Sequence, residues 1–412
     1  MEKQNKSSVY LGIDINDRYA MVSFYESNMS EPETVGTVAG SEVFQIPLIL
    51  AKRKELGQWY YGDEAKKKAK NQDMIVVDSL LQRAVLGDKI VIDDEKYDAV
   101  ELLALYLKKI MSLPFKLGKI VKYDKVVITV DRLTKENMDM FWKISPRLGL
   151  SNNQFMVIDH KESFYYFALS QDSSLWIHDV FLLEYEKNAI NSLWLNRNVR
   201  TTPQVIKIEE IQKLILGENK DDDFLYYLQK LFENKIVSTL YLVGNGFNGE
   251  WMKSSLAYMC RGRRVFMGMN LFSKGACYAA VARDNEENWK FIYMGENEMK
   301  FNLSLKVKDK GHPAFINLIS AGKNWFEISG ECDVILSGTT EIDFWKQLPN
   351  SREAVIESLE LTDIPDRPDR TTRINIFAKP IADNKIEITI KDLGFGEFCI
   401  GSNKTWHYTM SI

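Results

Sequence analysis

Apolar residues run without a break from Val9 to Ile13 and carry on through Asp14 to Ile15. After a polar Asn16-Asp17-Arg18 turn, a second run covers Met21 to Tyr25. These runs, and Lys125 to Val130, predict buried or half-buried strands. Tyr97 to Met111 is spaced differently: Val100, Leu103, Leu107 and Ile110 share one face of a helix. Thr134 to Leu148 predicts a further helix, with Thr134 as its N-cap and Arg-Leu-Gly-Leu as its exit. Phe155 to Asp159 then reads as a strand, so strand, helix and strand predict a crossover unit.

A second α/β block follows. Val180 to Tyr185 and Ile190 to Leu195 make a strand pair around Glu186-Lys187-Asn188-Ala189. Ile208 to Leu216 and Asp221 to Glu233 predict helices, and Asp221-Asp222-Asp223 suits the positive end of a helix dipole. Ser238 to Val243 reads as a strand running into Gly-Asn-Gly-Phe-Asn-Gly and then a helix. From Trp289 onward strand-like segments dominate. Lys385 to Ile390 alternates as a half-buried strand does, and Thr362 to Arg370 is a proline-fixed connector. The composition shift puts a domain boundary at Asp284 to Glu287, with a β-sandwich beyond it.

Composition adds limits rather than a direction. The 412 residues are enough for two or three domains, and 45% hydrophobic with 27% charged content is ordinary for a folded soluble chain. A net charge of −4 with mixed signs gives no push toward nucleic acid. The polar start and the shortness of every apolar stretch predict neither a secretory signal nor a membrane span, hence a cytoplasmic protein. Cys260, Cys277, Cys332 and Cys399 are scattered and read as reduced, buried thiols. His160, His178, His312 and His407 lack metal-ligand spacing, and no nucleophile elbow or Cys-His pairing is present. Lys66 to Lys70 is most simply a solvated helix face. Trp325, Trp345 and Trp406 fit either a core or the lining of a peptide groove.

The order of these pieces resembles the actin, sugar-kinase and heat-shock ATPase superfamily, and within it the DnaK-type seventy-kilodalton chaperones. "LGIDINDRYA" is similar to the first phosphate hairpin. Ile46 to Gln72 resembles the segment in which a strand ends at a proline before a Gly-Asp-x-Ala helix start. "VVITVDRLTKENMDMFWKISPRLGL" and "IDHKESFYYFAL" resemble the connection to the second half. "LYLVGNGFNGEWMKSSL" with "LFSKGACYAAVA" resembles the adenosine-side loop and closing helix, and "IESLELTDIPDRPDRTTRINIFAKPIADNKIEITIKDLG" the peptide-binding β-sandwich. No single motif is strong; the collinear series carries the likeness over nearly the whole chain.

The resemblance implies an α/β fold: a reduced, two-lobed actin-like (ribonuclease-H-like) ATPase followed by an all-β sandwich. Lobe I would cover residues 1–172, lobe II 173–285 and the sandwich 286–412, without a helical lid. It implies a nucleotide cleft at Asp14, Asn16, Gly244, Gly246 and Gly275. In the family the residue matching Asp14 helps hold hydrated Mg²⁺; read alone, Asp14 fits a turn cap. Gly244 and Gly246 fit an adenosine approach and an ordinary strand-to-helix turn equally well.

The departures are chemical. A polyphosphate held in a hairpin needs close backbone approach and free N–H donors, which is why glycine belongs there. Here Asp17 puts a carboxylate beside that space, and Arg18 either offsets it or lies on the surface. At the second hairpin Glu186, Lys187 and Asn188 replace three glycines, with Glu184 retained before them. Asp159-His160-Lys161-Glu162 matches the water-orienting segment only loosely, and Leu80 takes the place of the phosphate-facing lysine. The expectation is a pseudo-ATPase with no resident cofactor, at most weak ATP or ADP binding with Mg²⁺, and a protein or peptide partner. A working ATP-driven chaperone and an actin-like filament or division scaffold are the alternatives.

Overall fold

The computed structural model describes residues 8–37, 43–54, 56–116 and 122–411. Val9–Ile15 (β1) and Tyr19–Glu26 (β2) form an antiparallel hairpin, and Glu33–Thr34 (β3) pairs with β2. Lys125–Val130 (β4) and Phe155–Asp159 (β5) lie parallel on the other side of β1, giving the order β5-β4-β1-β2-β3. Almost every residue of β1, β4 and β5 is buried, so the unbroken apolar runs reflect strands covered on both faces. Three of the helices in this part are Ala99–Met111 (α1), Lys135–Ile144 (α2) and His160–Leu169 (α3). Asp98, Thr134 and Asp159 cap them, each side chain accepting a bond from an amide of the first turn.

The same plan is repeated. Asp179–Glu186 (β6) and Ala189–Asn198 (β7) form a hairpin, and Gln204–Ile215 (β8) lies beside β7. Lys220–Leu231 (α4) leads to Val237–Val243 (β9), and Ser254–Met259 (α5) to Arg264–Met267 (β10). β9 is parallel to β6 and β10 to β9. The order β10-β9-β6-β7-β8 matches that of the first sheet. Leu271–Asp284 (α6) then packs on α3 and β1. Gly12 and Gly275 permit this packing: a Cβ on Gly12 would overlap the Ser273 carbonyl, and one on Gly275 the Ser163 backbone.

Two expectations are corrected here. Ile208 to Leu216 is not a helix but lies mostly within β8. Its apolar spacing satisfies both periods, and β-branched Val205, Ile206, Ile208 and Ile211 beside β7 settle it as a strand. The cysteines are free, but only Cys277 is buried; Cys260 is exposed on the surface. The acidic triplet does more than face a dipole. Asp221 accepts bonds from the amides of Lys253, Ser254 and Ser255 and from the Ser255 hydroxyl, and so caps α5 from the start of α4.

Contacts divide the described chain into two compact units, one running to Asn196 and including Ile208–Trp289, the other formed by Arg197–Lys207 and Lys290 onward. The second unit is all β. Asn302–Asp309 (β11), His312–Ile319 (β12), Gly330–Ile335 (β13), Glu341–Gln347 (β14) and Ala354–Glu360 (β15) are followed by Arg373–Ala382 (β16), Lys385–Phe395 (β17), Cys399–Ile400 (β18) and Thr405–Ser411 (β19). They build two sheets, β12-β11-β14-β15 and β13-β16-β17-β18 with β19 also on β17. Both contribute to one core that includes Phe301, Leu303, Phe344, Ile376, Ile388 and Ile390. Trp406 belongs to this core and Trp325 packs against it, while Trp345 points to the other side of its strand. Among the described residues no helix is long and apolar enough to cross a membrane.

Candidate functional site: a cleft between two hairpin tips

The tips of the β1–β2 and β6–β7 hairpins line one cleft of about 300 Å³. Asp14, Asn16 and Gly244 line it together, with Arg18, Asp131, His160, Glu184, Glu186 and the apolar Met269 and Phe272. Gly246 and Gly275 do not: Gly246 lies against the Tyr185 ring and Gly275 against Ser163. Gly244 holds a φ of +109°, and a Cβ there would overlap the Tyr185 carbonyl, so the position requires glycine for the protein's own packing.

At the first tip three backbone donors are already used. The Asn16 amide donates to the Tyr19 carbonyl at 3.0 Å. The Arg18 and Tyr19 amides donate to Asn16 Oδ1 at 2.9 and 3.1 Å, an Asx turn. Asp17, which also lines the cleft, accepts a bond from the Gln82 amide. At the second tip Lys187 and Asn188 take positive φ values of 50° and 62°. This is the tight two-residue hairpin turn that asparagine tolerates.

Asp14 is 1% exposed and would be an isolated charge but for His160, the first residue of α3. His160 Nε2 lies 2.8 Å from Asp14 Oδ1, and its ring stacks on Phe272 with centroids 3.8 Å apart and planes 4° apart. Nδ1 is buried, makes no hydrogen bond among the described residues, and lies 3.8 Å from Asp131 Oδ1. Burial alone would favour neutral imidazole. The charge and hydrogen bond of Asp14, with Glu184 and Asp131 nearby, outweigh it and lift His160 to about 9. The ring is therefore an imidazolium at neutral pH. Glu184, near the end of β6 much as Asp14 is near the end of β1, is pushed up by burial, with His160 acting against that rise. Across the mouth, Arg18 Nη2 donates to Glu186 Oε2 at 2.9 Å, joining the two tips. This pair is largely exposed, so its value is geometric rather than energetic.

Sequence reasoning singled out Asp14 and Asn16 but missed the partnership with His160, 146 positions away. The one available signal was that the family likeness placed both Asp14 and the Asp159–Glu162 segment at the same cleft.

Fold and cleft together define a two-unit protein: an α/β part with a duplicated sheet plan and an ion-paired cleft, and an all-β part. The family model described as "Family of unknown function (DUF5716) C-terminal" matches residues 31–296, more than half of the chain, and the chain belongs to that family. A "Domain of unknown function (DUF8552)" matches residues 298–412, nearly the extent of the all-β part. No curated protein matches the chain.

Proposed function

We propose that the chain is a pseudo-ATPase of the actin and heat-shock ATPase type, nearest to the DnaK-type chaperones, acting as a protein-binding scaffold without ATP hydrolysis. The duplicated strand order, with a hairpin tip from each half meeting at one cleft, supports the likeness. The observation that carries the loss of function is the Asp14–His160 pair. A carboxylate with an imidazolium 2.8 Å away is neutralised and sterically committed, and does not fit the role of orienting a hydrated Mg²⁺.

Phosphates would meet further obstacles. At the first hairpin the amides of Asn16, Arg18 and Tyr19 are engaged, and Asp131, Glu184 and Glu186 add negative charge where a polyanion would sit. Hydrolysis in such folds depends on positioning and charge stabilisation, and here Arg18 and His160 are already paired with Glu186 and Asp14. The lobes then serve as a rigid carrier, and the all-β part is the candidate for binding a protein or peptide.

Calorimetric and thermal-shift titration with ATP plus Mg²⁺, and separately with ADP, tests this reading. The expected result is no heat and no change in melting temperature at millimolar nucleotide. Binding at about one-hundredth of the added concentration would stabilise the protein by about 2.7 kcal/mol. Such a shift would overturn the reading in favour of a nucleotide-driven chaperone.

A further inference from the structure

The most exposed large apolar side chains among the described residues sit together. Phe398 and Ile400, 90% and 83% exposed, lie on the β17–β18 hairpin tip, with Phe395 beside them. A floppy loop would pay heavily in entropy to use such residues, but this tip is anchored. Arg367, itself buried, donates two bonds of 2.8 Å to the fully buried Asp392 and a third, 2.9 Å, to the Ile400 carbonyl. Asp392 also accepts from the Gly394 and Ser402 amides, so both legs of the hairpin are fixed at their base. Preorganisation of this kind lowers the cost of docking. Glu397, exposed at the tip, makes no ion pair among the described residues.

The same unit carries a complementary feature on its other sheet. Leu303, Leu305, Phe344 and Leu359 point into the core, so their strand neighbours face outward. On that outer face Trp345 lies opposite Ile356, and its ring is 5.3 Å from the ring of Phe315. Lys306 sits 5.5 Å above the same indole and makes no ion pair among the described residues. An aromatic patch with a free cation matches an aromatic tip with a free anion. The tip grows from one sheet and the patch faces outward from the other, where the exposed Phe315 and Ile356 flank the half-buried Trp345, and the two features are matched for contact between two chains.

We propose that the all-β unit mediates head-to-tail self-association, the Phe395–Ile400 tip of one chain seating on the Phe315–Trp345–Ile356 face of a second copy, with Glu397 against Lys306. The contact is heterologous, so each chain keeps a free tip and a free patch, and association continues beyond a dimer or closes into a ring. A hairpin tip offers less than the about 800 Å² per partner of a standard interface, which puts the contact in the class of weak, transient interfaces. The proposal does not rest on the nucleotide reading.

Sedimentation velocity of the full chain from roughly 1 µM to 1 mM tests it. Wild type should form species larger than a dimer as concentration rises. Phe398→Asp, at a position too exposed to affect folding, and Lys306→Glu should each remain monomeric. Mixing the two variants should yield dimers and nothing larger, since one supplies an intact patch and the other an intact tip. A wild type that stays monomeric overturns the proposal, whether or not it co-sediments with phosphatidylcholine vesicles. So does a Phe398→Asp chain that still associates, or a mixture that forms no dimer.

Discussion

Two buried ion pairs, one taken from each unit, are built for different ends. Arg367–Asp392 is saturated: the carboxylate receives two guanidinium bonds, two amides and the Ser402 hydroxyl, and it fixes a hairpin. Asp14–His160 is not. One ring nitrogen meets Asp14, the other has no hydrogen bond, and the base can give up its proton. The permanent, fully bonded pair is a structural anchor. The titratable, half-satisfied pair lies in the cleft between the two hairpin tips.

Removing one partner should separate the two. Asp392→Asn strands a guanidinium that cannot deprotonate. It should cost about 3–5 kcal/mol, the range for breaking a buried pair. Hydrogen exchange over residues 385–411 would show it, with protection lost on both legs of the hairpin. Asp14→Asn should cost less, because His160 can turn neutral. The lift from 6.5 to about 9 corresponds to about 2–3 kcal/mol at neutral pH. A cost equal to that of Asp392→Asn would break the comparison.

The pH dependences should also run in opposite directions. A histidine raised above its ordinary value gives its full stabilisation below about pH 6.5 and loses it as pH rises through 9. Denaturant unfolding of the α/β unit should therefore weaken over that window, and Asp14→Asn should flatten the slope. The bonds from Arg367 hold Asp392 far below the usual carboxylate range, so its contribution persists at every pH above that range and fails only in strong acid.

Smaller effects sharpen the picture. Burial works against ionisation of Asp221, yet the Ser255 hydroxyl and three amides bring it down to about 2. Asp221→Ala should cost about 1–2 kcal/mol, the scale of a lost helix cap, seen as faster exchange at the start of α5. In wild type that contribution is present above 3.8 and is lost as pH falls through about 2. Glu184→Gln should change stability by less than about 1 kcal/mol, since burial already penalises its charge.

Much of the scaffold was legible in the sequence. The runs at Val9, Lys125 and Phe155 could hardly be anything but covered strands, and Thr134 announced its helix. Where two periods fitted, as at Ile208 to Leu216, the strand partner decided, and a partner is not written in a local window. The same reason hid His160 behind Asp14, and α5 behind Asp221. The exposed tip at Phe398 escaped notice because a Gly-Phe-Gly-Glu-Phe-Cys-Ile run reads as another strand end until its burial is known.

Titration of His160 by NMR, with and without millimolar ATP and Mg²⁺, tests the central claim most directly. A transition near 9 that nucleotide leaves unmoved is the predicted result. A transition near 6.5, or one displaced by nucleotide, would contradict a cleft closed by its own ion pair and return it to ligand binding.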